Sequence, residues 1–390
     1  MTFMTLARQY ANGKWRLVLA GLLSLTLAAC STGGLFRDTR NQEPPDIGGG
    51  GRKVALLLPL SASGELQRIA SAMKQAAEMA LVDTGGSGIT LITKDSRGTS
   101  VGAQAAAQAA VDEGAELILG PLLAVEVDAV KSITQPRGIN VIAFSSASSV
   151  AGGGVYLMSF LPEEEVANII RYAADQKIRS LAVLYPKTQY GANVQQAVER
   201  AATANGIKII KSEAYARDQI SGAPTQAVAE VVNSGRAEAL LLPEGGAQLS
   251  ALSSALAQSG VTPEKVKVLG TGLWDNTETL SVPIAQGGHY AGVTPDAVRA
   301  FDNRYQSSYR SKPPRIASLA YDAVSLAAGL AKRSDFSDAA ITASEGFQGQ
   351  NGLFRFRKNG LIERGLAILE VAASGTNVAA EAPRRFGAGF

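Results

Sequence analysis

The chain has 390 residues, with 37 Lys and Arg against 34 Asp and Glu, a formal charge of +3, one histidine and one cysteine. That balance, without a dense basic stripe or interleaved aromatics, argues against a nucleic-acid partner. The lone cysteine excludes an internal disulfide, and without paired histidines or cysteines no metal site is expected.

The first element is a leader. Arg8, Lys14 and Arg16 flank or precede the apolar run "LVLAGLLSLTLAA", too short to cross a bilayer comfortably as a mature helix, which is a signal-peptide pattern. Ala28 and Ala29 before Cys30 resemble the lipobox of bacterial lipoproteins. The resemblance implies a signal peptide over 1–29, a lipidated Cys30 as mature N-terminus and, with Ser31 in place of aspartate, anchorage in the outer membrane facing the periplasm. Such anchoring rests on more than one alkyl chain, each buried methylene contributing about 0.8 kcal/mol. Residues 30–52, "CSTGGLFRDTRNQEPPDIGGGGR", carry too little apolar surface to offset the entropy of ordering them and read as a flexible tether.

From Lys53 the chain alternates short apolar runs with helical spacing. "KVALLLPL", "ITLITKDS", "LILGPL" and "INVIAFSS" read as strands, with helices over "LQRIASAMKQAAEMALVDTGG", "VGAQAAAQAAVDEGA" and "AVEVDAVKSITQPRG" between them. Strands apolar on both faces and separated by helices imply a parallel sheet covered on each side. A second series runs from "SLAVLYP" through "IKIIKSEAY" and "EALLLPE" to "VKVLGTGLW". Long helices follow, and "GFQGQNGLFRFRKNGLIERGLAILEVA" alternates around Asn359 and Gly360 as a β-hairpin does. The expected fold is α/β: two doubly wound parallel-sheet lobes with a C-terminal hairpin, filling residues 53–390. The first lobe is assigned about 53–160 and 294–340, the second about 161–293 and 341–375.

In doubly wound sheets ligands sit beyond the carboxyl ends of the strands. The residues at those ends are Ser61, Ser63 and Gly64; Gly120 and Pro121; Ser145, Ser146 and Ser148; and, in the second lobe, Tyr185, Tyr190, Glu244, Thr271 and Trp274. Hydroxyls, amides and a few aromatics suit a small polar or zwitterionic molecule, although serine and glycine also occupy such turns for capping alone. Glu244 pairs with a ligand amine or faces solvent. Glu163, Glu164 and Glu165 are assigned to a helix N-terminus, where the backbone dipole favours negative charge. His289 lacks a nucleophile elbow or partner spacing and is expected in an interlobe hydrogen bond or an exposed turn. With no phosphate loop either, neither a cofactor nor an enzymatic activity is expected.

These elements together resemble the type I periplasmic-binding fold over essentially everything after the tether. "ALLLPLSASGELQRIASAMKQAAEMA", "ILGPLLAVEVDAVKS", "NVIAFSSAS" and "NGLIERGLAILEV", with Arg364, are similar to the lipoprotein activators of penicillin-binding proteins. That resemblance implies a noncatalytic regulator of peptidoglycan synthesis that contacts a peptidoglycan synthase, although the additional helical-repeat domain of the best-known activators is replaced here by a short linker. "LYPKTQYGANV" resembles the segment in which leucine/isoleucine/valine-type receptors present a tyrosine to their ligand, and "AFSSAS" resembles their carboxylate-holding loop. The alternative is therefore an amino-acid receptor of an ABC transporter. Against it, such receptors carry hydroxyl residues after the third strand, where this chain has "GPLLAVEV".

Overall fold

The computed structural model describes residues 51–386 apart from Ser87; the leader, Cys30 and the tether up to residue 50 lie outside the described residues. Val54 to Leu58 of β1 (Arg52–Leu58) have no exposed surface, as a strand apolar on both faces requires when helices cover it. Next come α1 (Gly64–Asp83), β2 (Ile89–Asp95), α2 (Ser100–Asp112), β3 (Leu117–Leu119), α3 (Ala124–Thr134), β4 (Asn140–Ala143) and β5 (Val155–Leu157). They form a parallel sheet in the order β2-β1-β3-β4-β5. The fifth strand adds to the four read from sequence.

The second lobe comprises α4 (Pro162–Asp175), β6 (Ser180–Pro186), α5 (Gln189–Ala204), β7 (Lys208–Tyr215), α6 (Ala223–Asn233), β8 (Ala239–Leu241), α7 (Gly246–Gln258), β9 (Lys267–Gly270) and β10 (His289–Gly292). Pro162 opens α4 with Glu163, Glu164 and Glu165 in its first turn, a favourable start for a helix. Thr188 caps α5 by accepting from the Gly191 N–H at 3.1 Å.

The chain then returns to the first lobe as α8 (Pro295–Tyr309), α9 (Ala317–Ala331) and α10 (Asp338–Ile341). Phe301 and Tyr305 of α8 pack on α1, and most of α9 is buried in the first core. β11 (Phe347–Gly349), β12 (Gly352–Phe356) and β13 (Ile362–Arg364) make a small antiparallel sheet, with the expected hairpin turning at Asn359 and Gly360. β14 (Ala367–Ala372) extends the second sheet antiparallel to β10 and β15 (Gly375–Ala380) pairs antiparallel with β14, giving the order β15-β14-β10-β9-β8-β6-β7.

The boundary within the C-terminal part needs correction. The sequence pattern gives about 341–375 to the second lobe, whereas the small sheet packs in the core of the first. Phe354, Phe356 and Ile362 enter the first lobe's core, and the Leu157 N–H donates to the Gly360 carbonyl at 2.8 Å. The chain therefore crosses between lobes after β5, after β10 and after β13, and the second and third crossings differ in direction.

Candidate functional site

A cavity of about 420 Å³ lies between the lobes. Ser146 and Arg315 line it from the first lobe, Glu165, Tyr190, Gly272 and Asp275 from the second, and Phe160 from the first crossing. The size falls within the range of small-molecule sites.

The second-lobe wall is held by its own hydrogen bonds. Tyr190, in the first turn of α5, shares a 2.8 Å bond with the buried Thr271 hydroxyl, which follows β9. The next residue, Gly272, donates its N–H to Glu165 Oε2 at 2.8 Å. A Cβ at Gly272 would lie 2.3 Å from Glu165 Oε1, so only glycine lets the helix carboxylate approach this close. Burial pushes the Glu165 carboxyl up to about 7; the Gly272 N–H and Arg315 oppose the rise, and Asp275 and Glu163 add to it. Burial and the nearby Glu165 likewise raise the Tyr190 hydroxyl.

Arg315, just before α9, reaches across the cleft. Its Nε lies 3.2 Å from Asp275 Oδ2, its Nη1 donates to Asn351 Oδ1 at 3.2 Å, and its guanidinium carbon sits 4.6 Å from the Phe160 ring centre. Asn351 is in turn fixed by donating to Asp322 at 2.8 Å and by Ser318. The cavity thus carries a cation paired with a carboxylate across the lobes, a second carboxyl poised near neutrality, and hydroxyls from Tyr190 and Ser146. Such a set can receive a molecule bearing both an acidic and a basic group.

The other residues proposed from sequence are placed elsewhere. Ser61 and Ser63 are exposed at the end of β1; the Ser61 N–H donates to Asp95, and Ser63 precedes α1 without a side-chain capping bond. Gly120 has φ +97°, and a Cβ there would stand 2.1 Å from the Leu57 carbonyl oxygen, so its part is to let β1 and the loop after β3 approach. Ser145 is buried and accepts from the Ala147 N–H at 3.2 Å, shaping its own loop, and Ser148 donates to Glu163. Tyr185 packs within the second lobe.

Two of the expected ligand contacts face inward. Glu244 is 2% exposed and accepts from Tyr215 at 2.7 Å and from Arg217 at 3.1 Å, so it is occupied by its own lobe, neither reaching a ligand nor facing solvent. Trp274 is fully buried and donates to the Leu242 carbonyl at 3.2 Å, filling space that Gly270 and Gly288 leave open. His289, expected at a turn or between lobes, begins β10, is buried and stacks on Tyr172 at 5.3 Å; burial lowers it to about 4. Of the residues expected from sequence, Ser146 and Tyr190 line the cavity and the buried Thr271 bonds Tyr190 from behind it, while Phe160, Glu165, Asp275 and Arg315 line it without having been marked by the sequence. Among the described residues no cluster of three His, Cys, Asp or Glu could hold a metal ion.

Two lobes joined by three crossings with a cavity between them define a protein of the periplasmic-binding class. The Periplasmic binding protein family model matches residues 52–376, and the chain belongs to that family. Comparison with curated proteins finds no significant match. Among solved structures, a protein assigned to branched-chain amino acid ABC transport in Rhodospirillum rubrum superposes with a TM-score of 0.74 at 19% identity, over 84% of this chain and 99% of that one. The substrate-binding protein of Desulfitobacterium hafniense in complex with Leu gives 0.60 at 17% identity, over 84% and 100%. A solute-binding protein of R. palustris in complex with benzoate gives 0.58 at 18%, over 87% and 98%. At these identities the likeness is one of fold.

Proposed function

We propose that this chain is a noncatalytic periplasmic receptor that closes its two lobes on a small organic molecule, of the size of an amino acid or an aromatic acid, for delivery to an ABC transporter. The observation that carries the reading is the interlobe cavity of about 420 Å³, whose walls bring a cation, two carboxyl groups and the Tyr190 hydroxyl to one space. Family membership and the ligands of the two complexes named above support it. Thermal denaturation with a panel of amino acids and benzoates tests it. A ligand at a hundred times its Kd stabilises the native state by about 2.7 kcal/mol, so at least one compound is expected to raise the melting temperature clearly. A flat panel would reject the proposal.

A second reading has its own observation. Val101 and Val125 are 79% and 58% exposed at the rim of the first lobe, beside the "GPLLAVEV" loop, and Leu66, Pro59 and Leu123 gather around Gly98 there. An apolar corner of this kind suits a protein partner. It is compatible with a lipoprotein anchored through Cys30 in the outer membrane and stimulating a penicillin-binding protein. Under that reading the full-length protein co-purifies with a peptidoglycan synthase and Val125→Asp abolishes the capture; no capture by the unmodified protein rejects it.

A further inference from the structure

We propose that Arg315 holds the carboxylate of the ligand in the interlobe cavity, so that this receptor selects organic acids, zwitterionic or not, over their neutral analogues. The inference rests on the receptor reading above and deepens it.

The first-lobe loops that would otherwise meet an anion are poorly equipped to do so. After β3 the chain presents Pro121, Leu122 and Leu123, with Leu122 buried. After β4, Ser145 is turned into its own loop and only Ser146 reaches the cavity. An anion losing its hydration in a partly closed cavity requires charge-assisted donors in return. Arg315 is the cation in the cavity wall.

Its geometry is that of a prepared anchor. The guanidinium is fixed on one side by the Phe160 ring at 4.6 Å and on another by Asn351, itself held by Asp322 and Ser318. Asp275 meets only Nε, at 3.2 Å, and Nη2 has no hydrogen-bond partner among the described residues. A planar fork can therefore take an incoming carboxylate on its free edge, either beside Asp275 or in its place. In both cases Asp275 competes with the ligand for the same charge. It is about as exposed as Arg315, at 31% and 34%, so separating the pair is inexpensive in free energy.

The full chain is titrated calorimetrically with leucine, leucinamide, benzoate and benzamide. The acids are expected to bind the unmodified protein about 30-fold or more tightly than the amides, as the loss of a charged hydrogen-bonded contact implies. Arg315→Gln is expected to weaken the acids to the level of the amides, and Arg315→Lys to recover part of the difference. Asp275→Asn is expected to tighten benzoate several-fold, because the competing anion is gone and benzoate has no amine for Asp275 to hold. Acids and amides binding the unmodified protein equally well would overturn the assignment of Arg315 and leave the receptor reading standing. Binding of none of the four would also overturn the assignment, and the wider panel of amino acids and benzoates then decides the receptor reading on its own. The acid–amide comparison uses the unmodified protein, so it decides the matter even if an Arg315 variant misfolds.

Discussion

Arg364→Ala is expected to lower the free energy of unfolding by about 3–5 kcal/mol, the range for losing a large buried side chain whose charge also balances a buried neighbour. Arg364 is 2% exposed at the end of β13, at the third crossing between lobes. Its Nε donates to the Ser159 carbonyl at 3.0 Å, tying the third crossing to the first, and its guanidinium lies 5.0 Å and 5.7 Å from the rings of Phe160 and Phe354. Burial lowers its pKa to about 10, which leaves it protonated at neutral pH, and Asp322 counteracts the decrease. Asp322 is itself buried; desolvation raises its carboxyl, with Arg364 the largest opposing influence. Truncation would thus leave a cavity, an untied crossing and a buried carboxylate without its cation. Arg364→Met should cost less, because it refills the volume, and Arg364→Met with Asp322→Asn less again, because no unbalanced charge remains. Urea denaturation reads all three. A loss below about 1 kcal/mol for the alanine variant, or a double variant weaker than the single by the full additive amount, would contradict this account.

The parts of the fold that could be read from sequence are those with a long periodic signal. β1 and β2 each run for seven residues, five of them buried, and α1 keeps helical spacing over twenty. β5 escaped because it has three residues and follows three glycines with positive φ, so no alternation could develop. The small sheet is legible as a hairpin but not as part of the first lobe, since its local pattern says nothing of which core receives Phe354 and Phe356.

The site divides in the same way. Tyr190 was reachable because it follows a strand and opens a helix in a familiar segment. Glu244 and Trp274 also sit at strand ends, yet their side chains turn inward onto Arg217, Tyr215 and the Leu242 carbonyl, a choice made by tertiary packing. Glu165 was concealed by its neighbours: three glutamates in a first turn are explained by the helix dipole, and only the approach of Gly272 singles one out. Arg315 belongs to no motif. Its role arises from Asp275, Asn351 and Phe160, which the fold brings from separate parts of the chain.

Glu165→Gln is expected to stabilise the protein increasingly as pH rises from 5 to 8, by on the order of 1–3 kcal/mol at the upper end. The folded carboxyl titrates at about 7 against an ordinary value of 4.5. Between those values the folded state binds more protons than the unfolded one, so the unmodified protein loses stability as pH rises through the window, and the loss is complete above pH 7. Glu164, raised to about 7 chiefly by burial and facing Arg357 and Glu363, adds a loss of the same sign. His289 acts oppositely: lowered to about 4 from 6.5, it makes the unfolded state the greater proton binder there, so stability rises with pH through that lower window. The raw profile therefore mixes signs, and the difference between variant and parent isolates Glu165. Glutamine keeps a carbonyl oxygen for the Gly272 N–H, so the local geometry survives while the charge does not. Melting temperatures at pH 5, 6, 7 and 8 give the difference directly, and a gap independent of pH would show that Glu165 does not titrate in this range. The same proton sets the character of the cleft. As pH rises through about 7 Glu165 gives up its proton and the cavity gains a negative charge, which favours a ligand bearing an ammonium group and disfavours one that is only an acid.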